Sequence, residues 1–190
     1  MKRWQLILLG ITGLIIALAF TKTGQKIVTT AAQSITSLGI NLVKYLEGAI
    51  RDNDNNHVIY KDEAGYWTIG YGHKVIATDP YYPNTNIKTI SETEAVNLLA
   101  NDMEKAANSV RNYVTVPLSE GQFNSIVSFV FNIGIAAFVN STILKKLNSG
   151  DYNGASNELD RWIYVTKDGQ KIVSDILVSR REQEKTVFLS

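Results

Sequence analysis

The chain has no cysteine, which excludes disulfides, thiol nucleophiles and thiolate metal sites. Stability outside the cytoplasm would have to come from packing. An excess of either charge is also missing: 19 Lys and Arg stand against 18 Asp and Glu, for a formal net charge of +1. Composition therefore implies no strongly basic surface, and nucleic acid is not expected as the main partner. No long repeat or low-complexity domain is visible. With 190 residues and 45% hydrophobic content, the chain suffices for one globular domain with a proper core and a short appendage.

What is present begins with an apolar run. Lys2 and Arg3 precede a nearly uncharged stretch from Trp4 to Phe20 that has no helical polar face. Its 17 residues lie at the bottom of the range for spanning a bilayer, and Gly10, Thr12, Gly13, Ala17 and Ala19 dilute its hydrophobicity. Residues 1–21 are expected to form an N-terminal hydrophobic helix serving as a weak signal-anchor. The small-x-small triplet Ala17-Leu18-Ala19 leaves a cleaved signal peptide open, and a buried core helix is a third reading. The first two imply export. Residues 22–37, rich in Thr, Ala and Ser, read as a linker or a docked helix.

From Leu38 onward, Leu42, Val43, Leu46, Ala49 and Ile50 recur at helical spacing, so Glu47 lies beside a buried face. A solvated helix rim is the plain reading of such a Glu. The boundary also suits a proton donor, because partial desolvation favours a neutral carboxyl. The polar run Arg51 to Asn56 then breaks the pattern, and Val58-Ile59-Tyr60 and Trp67-Thr68-Ile69 read as two strands around a turn at Gly65. Gly70 and Gly72 flank Tyr71, which suggests positive φ or close backbone approach. His73 follows, readable as a satisfied structural histidine or as a catalytic base. Two carboxyls, Glu47 and Asp62, and the Thr68 hydroxyl are thus placed to meet. Glycoside hydrolysis needs one protonated carboxyl for the leaving oxygen and a second group to activate water or stabilise the oxocarbenium-like transition state.

The series Glu47-Gly48, Tyr60-Lys61-Asp62, Gly65 and Thr68-Ile69-Gly70-Tyr71-Gly72-His73 resembles the active-site region of the phage-type lysozymes, glycoside hydrolase family 24. Downstream, Phe131-Asn132-Ile133-Gly134, Ser141-Thr142-Ile143-Leu144, Arg161-Trp162 and Arg180-Arg181 followed by Glu184 continue it in the same order, over about residues 38–190. The resemblance implies a general acid at Glu47, a second catalytic carboxylate at Asp62 and an active-site threonine at Thr68. It further implies cleavage of the β-1,4 bond between N-acetylmuramic acid and N-acetylglucosamine in bacterial peptidoglycan, by a monomer. The N-terminal segment resembles the signal-anchor-release type of endolysin. It implies an enzyme held at the host inner membrane, facing the periplasm, and later released into it. Two rivals stand beside this reading: a lytic transglycosylase and a non-catalytic, membrane-tethered wall-binding protein.

One departure is clear. Asp62 lies fifteen positions after Glu47, where the family's usual spacing is nine. The added residues can be read against the calcium-loop pattern, with Asp52, Asp54 and Asn56 at positions one, three and five and Glu63 at twelve. His57 stands where that pattern wants glycine. The reading expects a Ca²⁺ ion held by Asp52, Asp54, Asn56, the Val58 carbonyl and Glu63, ordering the site without joining the chemistry; a solvated Asx-rich turn is the alternative.

The remainder reads as the supporting body. Capping-box spacings at Ser91/Glu94 and Ser119/Gln122 start two long helices, the second very apolar. Short helices are expected near 141–148 and 151–162 and a last one near 175–189. Arg180-Arg181 suits a solvated helix face or a helix dipole, and equally a guanidinium approaching the active-site acid. The expected fold is α+β and lysozyme-like, mostly helical with a small β-hairpin or sheet at the active site.

Overall fold

The computed structural model describes residues 33–62, 65–82, 86–167 and 169–190, together with the backbone of 10–11, 14–15, 18–20 and 26–28. In the N-terminal stretch β1 (Gly10–Ile11) pairs with β2 (Leu14–Ile15), and β3 (Leu18–Phe20) pairs with β4 (Lys26–Val28), both antiparallel. The expected hydrophobic helix over 1–21 is therefore not shown, and the rest of that segment lies outside the described residues. Among the described residues no helix is long and apolar enough to cross a membrane.

Among the described residues seven α-helices build the body: α1 (Ser37–Glu47), α2 (Glu92–Tyr113), α3 (Glu120–Ile133), α4 (Ile135–Val139), α5 (Thr142–Asn148), α6 (Tyr152–Glu158) and α7 (Asp175–Phe188). Both expected capping boxes form, Ser91 with Glu94 and Ser119 with Gln122, each hydroxyl accepting from the amide three residues on. The very apolar helix is the central one. Phe123, Ile126, Val127, Phe129 and Val130 of α3 are buried, and α3 packs against α1, α2 and α7. Burying such side chains contributes about 1.5–3 kcal/mol each.

Chain from 33 to 36 is docked rather than free: Thr36 N–H donates to Asn124 Oδ1 at 3.1 Å, and Arg111 Nε donates to the Gln33 carbonyl at 2.7 Å. Gly39 then lets α1 approach α3, because a Cβ at that position would lie 2.2 Å from Asn124 Oδ1. This contact sets where α1 ends, and with it where Glu47 sits.

The sheet region is finer than the sequence suggests. Val58-Ile59-Tyr60 is not one strand. β5 (His57–Val58) pairs with β9 (Thr89–Ile90), while β6 (Tyr60–Lys61) joins β7 (Trp67–Ile69) and β8 (His73–Lys74) in a three-stranded antiparallel sheet. The chain changes partner at Ile59, whose amide donates to the Lys88 carbonyl at 3.0 Å. A further hairpin, β10 (Tyr164–Lys167) and β11 (Gln170–Val173), is not among the expected elements, although Val165, Thr166, Ile172 and Val173 are β-branched. Its strands are exposed on both faces, so no alternation of apolar and polar residues marks them.

Candidate active site

Glu47 is the last residue of α1, which stops there because Gly48 takes a positive φ of 65°. Its Oε1 meets Arg180 Nη1 of α7 at 2.8 Å, with the Glu side chain about a quarter exposed and the Arg buried. Gly72, at φ 86°, passes close by: a Cβ there would lie 3.8 Å from Glu47 Oε2. Of the two readings of Arg180, a solvated helix face and a guanidinium at the active-site acid, the second is the observed one.

The hairpin brings the other two expected residues to the same place. Asp62 closes the turn between β6 and β7, where its Oδ1 accepts from the Tyr66 amide at 2.8 Å and its own amide donates to the Tyr66 carbonyl at 2.9 Å. Thr68 is buried on β7 opposite Tyr60, and its hydroxyl donates to the Tyr66 carbonyl at 3.3 Å. Tyr60 marks the convergence. Burial, then the Asp62 and Glu47 carboxylates, push its phenol above the ordinary value, so both carboxylates act on one hydroxyl.

Behind Glu47 lies a buried network that the sequence does not disclose beyond the pairing of the arginines. Glu184 receives Arg180 Nε at 3.4 Å, Arg181 Nη1, and the Ser128 hydroxyl at 2.8 Å. Arg181 also donates to the Trp162 carbonyl at 3.1 Å and to Asn132. Burial pushes Glu184 up, against the pull of Arg181 and Arg180. A cavity of about 750 Å³ opens beyond Arg181 and is lined in part by Asn132, Glu158, Arg161 and Trp162. Glu47, Asp62 and Thr68 do not line it.

The added loop is a short turn. Asp52 N–H donates to the Asn56 carbonyl at 3.0 Å, Asp52 Oδ1 accepts from the amides of Asp54 and Asn56, and Asn55 supplies the left-handed residue at φ 65°. His57 is then extended, fully buried and bridged to Arg51. These residues do not fit the expected calcium cage. The pattern needs its left-handed residue at His57, whereas the chain has already turned back at Asn55 and left as β5. Glu63 lies outside the described residues.

Glu92, the first residue of α2, carries no mark in the sequence beyond being an acid in a helix's first turn. Its carboxylate takes Lys44 Nζ at 2.6 Å, Arg51 Nη2 at 2.6 Å, His57 Nε2 at 2.9 Å and the Tyr71 hydroxyl at 2.9 Å. Burial raises this carboxyl, yet the hydrogen bonds from His57, Lys44, Arg51 and Tyr71 outweigh it and hold the group well below the usual carboxylate range. His73 has two acids of its own, Asp102 on Nδ1 at 2.7 Å and Asp79 on Nε2 at 3.4 Å. The satisfied structural reading fits this histidine.

A helical body carrying an acid at the end of its first helix, faced by a small sheet that presents a second carboxylate and a buried threonine, defines a lysozyme-type glycoside hydrolase. The phage lysozyme family profile matches residues 54–184, a span that includes Asp62 and Thr68 and begins after Glu47. The chain belongs to that family. It is 37% identical over 157 residues to an endolysin of Acyrthosiphon pisum secondary endosymbiont phage 1, covering 82% of this chain and 98% of the relative. To the SAR-endolysin of Escherichia phage Mu it is 35% identical over 129 residues, covering 68% of this chain and 69% of the other. Among solved structures, the muramidase domain of SpmX from Asticaccaulis excentricus superposes with a TM-score of 0.71 at 32% identity, covering 83% of this chain and 99% of that one.

The Asp102 hydrogen bond, against burial, raises His73 above its ordinary value, with Asp79 adding to the effect. A raised histidine stabilises fully below its unfolded value of about 6.5, and that contribution disappears as pH climbs through the folded value. Asp102→Asn is therefore expected to cost on the order of 1 kcal/mol at pH 5, after allowance for solvent screening, and much less at pH 9. Urea unfolding at the two pH values measures this; an equal loss at both would show that the pair contributes no charge term.

Proposed function

We propose that this chain is an endolysin muramidase that hydrolyses the β-1,4 bond between N-acetylmuramic acid and N-acetylglucosamine in peptidoglycan, with Glu47 as general acid. The observation that carries the reading is Glu47 itself, paired with the buried Arg180 and acting together with Asp62 on the one phenol of Tyr60. In this mechanism Glu47 gives its proton to the glycosidic oxygen as the bond to the sugar's anomeric carbon breaks. Asp62 and Thr68 then act on the far side, stabilising positive charge on the ring and positioning the water that replaces the leaving sugar. The Tyr66 amide, which donates to Asp62 Oδ1, supports that role by holding the carboxylate before substrate arrives.

The N-terminal apolar run is the second part of the reading. Similarity to a SAR-endolysin of phage Mu supports a segment that first tethers the enzyme to the inner membrane on its periplasmic side and later releases it. Gly10 and Gly13 weaken its hold, because each replaces a fully apolar side chain in a segment already short for a bilayer.

Two experiments follow. Glu47→Gln keeps a hydrogen-bond acceptor for Arg180 and removes the proton donor, so it should lower reducing-end release from purified peptidoglycan by about 10²–10⁴-fold while the protein stays folded. Retained activity would favour a wall-binding module or another acid. Gly10→Leu with Gly13→Leu should lengthen retention in the membrane fraction of expressing cells; unchanged partition would remove the release mechanism.

A further inference from the structure

Lys44 and Glu47 lie three residues apart on α1, the spacing at which helical side chains meet. Lys44 nevertheless reaches away from the acid: its ammonium binds Glu92 Oε1 at 2.6 Å and lies 5.4 Å from the centre of the Tyr71 ring. The same carboxylate binds Arg51, His57 and the Tyr71 hydroxyl, and Tyr71 directly precedes Gly72, whose backbone packs near Glu47. One acid outside the reacting set thus ties down α1's last turn, the added loop and the glycine-flanked turn between β7 and β8 beside the general acid.

We propose that Glu92 is a positioning residue of the hydrolase, which holds Lys44 away from Glu47 and so keeps a second cation off the proton donor. The inference rests on the reading of Glu47 as general acid. Glu47 already faces Arg180 from α7, backed by Glu184, while Tyr60 lies near it on the hairpin, with Asp62 acting on the same phenol. A cation beside a carboxyl favours its charged form, which has no proton to donate. Arg180 is buried and fixed by Glu184 as well as Glu47, whereas Lys44 is a flexible chain restrained at its tip by Glu92. Neutralising Glu92 releases that tip one helical turn from the acid. The sequence's added turn serves the same arrangement, because it delivers Arg51 and His57 to Glu92 and leaves a single acid shared by three basic side chains.

The test is the pH profile of kcat/KM for reducing-end release by the full chain and its variants. Glu92→Gln, nearly isosteric and still able to bond Tyr71 and His57, should move the alkaline limb about one pH unit lower. Adding Lys44→Met to Glu92→Gln should return the limb to its wild-type position. A merely structural role would lower activity at every pH and leave the limb in place. Glu92→Asp keeps the charge and shortens its reach, and supplies a second variant should Glu92→Gln fail to fold; a smaller shift in the same direction is expected. An unmoved limb in both folded variants overturns the proposal, and so does a shift that survives Lys44→Met. Loss of activity in Glu47→Gln is read separately, so failure of the general-acid reading is not confused with failure of this one.

Discussion

The ion pair between Glu47 and Arg180 is the constraint on which the site depends. It joins the end of the first helix to the last helix, and neither partner has freedom to move alone. Arg180 is held from behind by Glu184, which also takes Arg181 and Ser128, so the pair continues into a network against the central helix α3. Burying charges is costly unless each is paired and hydrogen-bonded, and removing one partner of such a set typically costs about 3–5 kcal/mol. The chain retains this expensive arrangement at one point, behind the acid. A carboxyl fixed in that way presents its free oxygen to the cleft in one orientation.

The facing wall is built on a different principle. The hairpin carrying Asp62 and Thr68 is short and has little apolar surface of its own, so its geometry comes from backbone hydrogen bonds across a tight turn and from anchors at its two ends. His73 anchors one end to α2 through Asp102, and Tyr71 anchors the turn between β7 and β8 to Glu92. Both acids lie on α2, one at its start and one along its length, so that helix sets the distance between the hairpin and α1. The residues added between Glu47 and Asp62 are accommodated as a closed turn beside this hinge of charges, and the register of the hairpin that carries Asp62 and Thr68 is undisturbed.

Much of this architecture is legible in the amino-acid sequence. Capping boxes mark α2 and α3 because their side-chain logic is local, and the apolar periodicity of α3 names the central helix. Glu47, Asp62 and Thr68 stand out because their order and residue types match a family's chemistry, and the fold gathers them around one phenol, Tyr60. Other features are illegible for equally physical reasons. Glu92 gathers four donors from residues as distant as Lys44 and Tyr71, a purely tertiary property. The hairpin at 164–173 is exposed on both faces and carries no alternation to read. The acid-rich turn at Asp52 matches a metal loop in composition, and only the position of the left-handed residue, Asn55 rather than His57, separates the two.

In the proposed mechanism the proton donor is held by a buried cation and water is positioned from the hairpin side. The most direct measurement is the mass of the soluble products from purified peptidoglycan. Water as the acceptor leaves fragments ending in a free reducing N-acetylmuramic acid, which borohydride then reduces. Those ends are the predicted result. Fragments lighter by one water and resistant to borohydride would mean that the sugar closes an anhydro ring on itself, and would contradict the assignment of Asp62 and Thr68 to a hydrolytic step.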